Sequence, residues 1–227
     1  MAQHLDLEEQ EQLDQLKHFW KSYGDLITWV LIAVLGAYAA WNGYQYWQRN
    51  QAMQSAALFD EVDRAVTQGD VARLERAFGD MKDKFGSTIY ARQAALLAAK
   101  VFFEKDKIDA SRDALSWVVE KAPGDAYAAI ARLRLAGVLV SQKAYDEALG
   151  QLAGEFPKEF QSLVADRRGD ILSLQGKGAE AIAEYKKAYS LLEAENGYRR
   201  LVEVKLAALG VDASAVDHAG APAGSVK

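Results

Sequence analysis

Among 227 residues there is no cysteine, and only 3 prolines and 3 histidines. Without thiols the chain has no disulfide, no thiolate metal site and no cysteine nucleophile, although this does not fix its compartment. The histidines, His4, His18 and His218, lie far apart and form no H-E-x-x-H pattern, so no metal site and no cofactor is expected. Excess positive charge is also missing. A formal net charge of -5 gives a nucleic-acid partner no electrostatic footing. A phosphate loop is absent too: Gly176-Lys177-Gly178 has Ile171 where the motif needs glycine, and Gly178 where it needs serine or threonine. Those glycines read as a turn between helices. No cluster of titratable groups suited to a hydrolase can be assembled, so the chain is not expected to be an enzyme. Few prolines, abundant alanine and leucine, and no strand-like alternation predict an all-α fold.

The feature most clearly present is a long apolar run. From 26 to 48 no residue is charged, with Asp25 and Arg49 as bounds. Roughly 20 helical residues cross a hydrocarbon layer of about 30 Å. Trp20, Tyr23 and Trp29 stand toward one end, and Trp41, Tyr44, Tyr46 and Trp47 toward the other, as headgroup-level aromatics do. A single transmembrane helix over 25–48 is therefore expected. A buried core helix and a cleaved signal peptide (Ala37-Tyr38-Ala39 resembles a cleavage site) are the alternatives. The acidic character of the preceding residues argues against a signal peptide. Lys17 and Lys21 before the run nearly balance Arg49 and Arg64 after it, so flanking charge leaves the orientation open. Gly36, Ala40 and Gly43 share one helical side, where another membrane helix could approach.

Residues 1–24 read as an amphipathic segment with Leu5, Leu13, Leu16, Phe19, Trp20 and Tyr23 among acidic and glutamine residues. Beyond the run, helices are predicted over 51–68, 71–85, 90–104, 108–121, 126–141, 145–154, 163–175, 179–195 and 198–209. Leu135-Ala136, Leu139, Ala148 and Leu152 recur 33 residues later as Arg168-Gly169, Leu172, Ala181 and Tyr185. Ala99, Phe102, Ser111 and Leu115 form an earlier copy. A period near 34 with small and large residues in this order is a tetratricopeptide (TPR) signature. About three repeats are expected in a TPR-like helical-hairpin solenoid over 49–210, with a divergent first hairpin and a capping last helix. Disorder is expected over 211–227. Asp166, Arg167, Arg168 and Asp170 read as a solvated helix face with local ion pairs, or else as a contact surface.

The run Glu9-Gln10-Glu11-Gln12-Leu13-Asp14-Gln15-Leu16-Lys17-His18-Phe19-Trp20-Lys21 ahead of a lone anchor resembles the start of the YfgM family. Val164 to Asp170, then Gly176-Lys177 and the stretch from Ala179 to Lys187, resemble that family's late-repeat signature. The resemblance covers roughly residues 9–209 and excludes the tail. It implies an ancillary subunit of the bacterial Sec translocon in the inner membrane, N-terminus cytoplasmic and helical domain periplasmic. The implied partners are Sec translocon subunits, the periplasmic chaperone PpiD and translocating polypeptides, with the lipid bilayer around the anchor. The implied function is to help pass translocated proteins to periplasmic chaperones. A cytoplasm-facing TPR assembly factor for an envelope complex is the alternative. Candidate partner-binding residues are Tyr127, Arg132, Arg134 and Tyr145 in the middle repeat, and Gly36, Ala40 and Gly43 in the span.

Overall fold

The computed structural model describes residues 7–193 and 195–213, with side chains from residue 12 onward. All regular structure among the described residues is helical. It comprises α1 (Leu7–Gln68), α2 (Val71–Phe85), α3 (Ile89–Glu104), α4 (Ile108–Lys121), α5 (Ala126–Ser141), α6 (Tyr145–Gln151), α7 (Gln161–Leu174), α8 (Gly178–Leu191) and α9 (Gly197–Ala208), with a 3-10 turn at Lys158–Phe160. Two compact units result, Met1–Gln54 and Ser55–Lys227, and α1 contributes to both. The helix expected over 51–68 is therefore part of α1. No glycine or proline between Gly43 and Gly69 interrupts it. Residues 1–6 of the N-terminal segment and 214–227 of the tail lie outside the described residues.

The first unit carries the apolar run. Its most apolar window is only 6% buried, whereas a core helix of a soluble protein would hide that surface. Trp29, Leu31, Leu35 and Trp41 all point outward. Polar groups in the run turn back on their own backbone: Thr28 Oγ1 donates to the Gly24 carbonyl (2.8 Å) and Asn42 Nδ2 to the Tyr38 carbonyl (3.0 Å). This suits a lipid phase, where a bare polar group costs several kcal/mol.

In the second unit consecutive helices pair, and the first helices of neighbouring pairs also touch, α3 with α5 and α5 with α7. One backbone device closes each first helix. The N–H of Asp70, Lys107, Ala144, Lys177 and Val211 donates to the carbonyl of Ala65, Phe102, Leu139, Leu172 and Leu206, at 2.8–3.0 Å. The residue before each donor is left-handed: Gly69, Asp106, Lys143, Gly176 and Gly210, with φ between 59° and 76°. This is a Schellman-type stop, and it recurs at steps of 37, 37, 33 and 34 residues. The solenoid thus starts in α1, and α9 closes with the same stop as the first helices before it. The first hairpin escapes the sequence pattern because its sizes are exchanged. Val62 and Ala65 stand where later pairs have Ala99 and Phe102, and both are buried.

The repeat positions read from the sequence form the core. Ala99, Phe102, Leu115, Ala136, Leu139, Ala148, Leu152, Leu172, Ala181 and Tyr185 are all buried. Ser111 replaces an alanine of the pattern, and its buried hydroxyl donates to the Ala99 carbonyl at 2.8 Å. Side chains of Asp70, Thr88, Asp125 and Asn196 cap α2, α3, α5 and α9. The helix expected to 195, α8, ends at Leu191, and α6 ends at Gln151 instead of 154. Arg132 on α5 causes the early end of α6. Its Nε takes the Gln151 carbonyl (2.7 Å), its other nitrogens take those of Ala153 and Glu155, and its guanidinium lies 4.0 Å from the Phe156 ring centre. The carbonyls that would continue the helix are satisfied by a side chain instead.

Candidate binding groove

A groove of about 450 Å³ opens between α3 and α5, with α4 as its floor. Its wall is apolar: Ala99 and Phe103 from α3, Leu115 from α4, Val138 from α5. Phe103 follows Phe102 in the sequence, yet the two have opposite fates. Successive helical residues are turned by about 100°. Phe102 therefore fills the core at 3% exposure, while Phe103 projects into the groove at 40%. An aromatic ring left half in water at the mouth of an apolar cleft is a strong anchor for a polypeptide side chain. Lys100, Glu104 and Arg134 form the rim.

Gly137 lies in the groove, at the middle of α5. A β-carbon there would meet no atom within 4 Å, so packing does not require glycine. A glycine inside a helix costs roughly 0.5–1 kcal/mol relative to alanine. What the glycine provides is bare α5 backbone facing the cleft. Arg134, one turn earlier, places Nη1 3.0 Å from the Leu96 carbonyl across the α3–α5 contact. Among the described residues it has no carboxylate partner. The nearest acid on the rim, Glu104, faces Lys100 at 3.8 Å.

Of the residues expected to bind partners, the structure brings Arg134 to this groove. Tyr127 sits at the start of α5, where its hydroxyl accepts from Gln93 Nε2 (2.9 Å) and its ring faces Arg92. Arg132 is committed to the loop after α6, and burial lowers its pKa from the ordinary value. Tyr145 is half-buried at the start of α6, against the core. Gly36, Ala40 and Gly43 are exposed on α1. Phe103, Leu115, Gly137 and Val138 were not legible as a site. The available signal was the doubled phenylalanine, of which a helix can bury only one face.

The charge cluster on α7 differs from its reading as a solvated face. Asp166 is 2% exposed. It accepts from Tyr198 Oη (2.6 Å) and Lys205 Nζ (2.7 Å), both on α9. Lys205 also reaches Asp170 (2.7 Å), which accepts from Tyr185 Oη (2.8 Å). Arg168 pairs with Glu184 of α8 at 3.1 Å beside a larger, more polar cavity of about 540 Å³. Burial first, and then hydrogen bonds to Asp170 and Asp166, raise the pKa of Tyr185 and Tyr198. Sequence spacing alone placed these charges on one helix. Their partners are 32 and 39 residues away, beyond any local pattern. Above them Gly169 is required: a β-carbon there would lie 2.6 Å from the Tyr185 ring.

The profile of the tetratricopeptide repeat-like domain matches residues 17–211. An ancillary SecYEG translocon subunit of Neisseria gonorrhoeae is 31% identical over 210 residues, covering 92% of this chain and all of the relative. A protein of the same name from Haemophilus influenzae is 27% identical over 182 residues, covering 80% and 89% of the two chains. One from Escherichia coli is 25% identical over 171 residues, covering 74% and 81%. With a TPR-like stack, an apolar N-terminal helix and this span of similarity, the chain belongs to the YfgM family of ancillary translocon subunits.

Proposed function

We propose that this chain is a membrane-tethered scaffold of the SecYEG translocon that holds translocated polypeptides and helps pass them to periplasmic chaperones. The α1 run anchors it in the inner membrane, with the face of Gly36, Ala40 and Gly43 toward a neighbouring membrane helix. The N-terminus is cytoplasmic and the helical stack periplasmic. The relatives' names support attachment to the translocon. The family resemblance supplies PpiD as the chaperone partner. The observation that carries the reading is the apolar groove with Phe103 exposed at its mouth. Stacked hairpins present such grooves to segments of other polypeptides, and no chemistry is required of them.

A photoreactive phenylalanine analogue in place of Phe103, in the full chain in its native membrane, tests this directly. A secretory protein stalled in the channel is expected to crosslink to it. Crosslinks from exposed Ile89, outside the groove, but none from Phe103 would overturn the reading. A phosphatase reporter fused after Lys227 is expected to be active in the periplasm. An inactive fusion would instead support a cytoplasm-facing assembly factor.

A further inference from the structure

We infer that the groove selects polypeptide segments in which a large apolar side chain is followed by a carboxylate. This rests on the groove being a polypeptide site, and it adds which segments are held. Three features of the cleft converge. Phe103, Leu115 and Val138 offer an apolar seat for one bulky side chain. Gly137 leaves the α5 backbone bare, with no atom within 4 Å of where its β-carbon would stand. Arg134 stands one turn away from that opening. Only Nη1 is engaged, by a neutral carbonyl, and no carboxylate answers the charge among the described residues.

Arg73, Arg92, Arg112 and Arg168 each face an acid of their own chain, whereas Arg134, like Arg76 and Arg132, donates to backbone carbonyls. Arg134 is held in place by the Leu96 carbonyl, and its remaining N–H groups meet no acid among the described residues. A guanidinium so fixed loses little freedom on meeting a planar carboxylate, which it can grip with two parallel hydrogen bonds. The rim therefore carries one positive charge in surplus, since Lys100 and Glu104 offset each other. An acidic residue next to the apolar anchor complements it, and a basic one is repelled.

The test uses the full chain in lipid nanodiscs and two fluorescein-labelled nonapeptides read by anisotropy. One is Gly-Ser-Gly-Leu-Phe-Asp-Gly-Ser-Gly, and the other has lysine in place of its aspartate. The acidic peptide is expected to bind about tenfold more tightly. Arg134→Gln should bring the two within about twofold of each other. Gly137→Leu should weaken both by about tenfold or more, by filling the cleft from a β-carbon that meets no protein atom within 4 Å. Gly137→Ala, which favours the helix, is the arm that decides if the leucine variant loses helical content. It should weaken both peptides to a smaller degree. Equal binding of the two peptides by the native chain, with the losses at Gly137 intact, would overturn the carboxylate preference and leave the groove standing. Binding of neither peptide, or binding indifferent to both Gly137 variants, would overturn the groove as well.

Discussion

Two glycines on consecutive first helices occupy adjacent registers of the repeat and live in opposite surroundings. Gly169 stands at the position of Ala99 and Ala136, turned toward the second helix of its own pair. The Tyr185 ring there lies 2.6 Å from where a β-carbon would stand. Gly137 comes one register later, just after Ala136. A rotation of about 100° turns it from the partner helix to open space. The charges around them divide in the same way. Near Gly169, Asp166 and Asp170 are answered by Lys205 and two tyrosines. Near Gly137, Arg134 is answered by no acid among the described residues. The late repeat spends its polar groups on holding α9 in place, and the middle repeat keeps its own available.

Removing Lys205 should break this contrast hardest. Asp166 would keep its burial but lose its counter-charge, and breaking such a pair from one side costs about 3 kcal/mol. Lys205→Met is expected to speed hydrogen exchange across α9 by roughly two orders of magnitude, leaving α3–α5 unchanged. Unaltered exchange in α9 would mean that apolar contacts through Val202 and Leu206 hold it alone.

Gly169→Ala comes next. The Tyr185 ring is pinned by burial and by Asp170, so it cannot swing away freely. Overpacking of about 1–3 kcal/mol should exceed the roughly 0.5–1 kcal/mol that alanine gains as a helix former. The expected result is a lower urea midpoint at an unchanged slope. Adding Tyr185→Leu, which vacates the space, should recover part of the loss, and a purely additive double variant would deny that the two residues collide.

Alkaline pH probes the same network more gently. An unfolded tyrosine titrates near about pH 10. In the folded chain burial and the adjacent carboxylates raise both Tyr185 and Tyr198, so the folded state keeps protons that the unfolded state gives up. Their contribution is complete below about pH 10 and falls as pH rises beyond it. Tyr198→Phe should cost about 1 kcal/mol at neutral pH and flatten the decline between pH 9 and 11 relative to the native chain, both values being of order. Parallel declines in the two proteins would exclude Tyr198 as a titrating contributor.

How far these features could be read from sequence follows from their range. Helix ends at Gly69, Pro123 and Gly176 depend on local backbone chemistry, and 71–85, 108–121 and 126–141 match the observed helices to the residue. The small and large positions of the middle repeats also show, because each neighbours its partner in a fixed order. Fates decided at a distance do not show. Asp166 looked solvated because Tyr198 and Lys205 belong to another helix. The end of α6 looked later because Arg132 belongs to α5. Phe103 was hidden behind Phe102, since periodicity marks which residue is buried and says little about what its neighbour meets.

The smallest effect is the most discriminating, because it should carry the opposite sign to its counterpart one repeat on. Gly137→Ala adds a β-carbon to open space in mid-helix, removing backbone freedom from the unfolded chain without a collision in the folded one. A gain of about 0.5–1 kcal/mol is expected, seen as a higher urea midpoint. Gly169→Ala under the same conditions should move the midpoint down. A gain at Gly137 would mean that the native chain forgoes stability at this spot while keeping it at Gly169, where the ring contact leaves no choice. Stability forgone without a packing reason is then accounted for by what the open backbone admits. A loss at Gly137 would mean that α3 and α5 close over it in solution, and the cleft beside Phe103 would no longer be wide enough to seat a polypeptide.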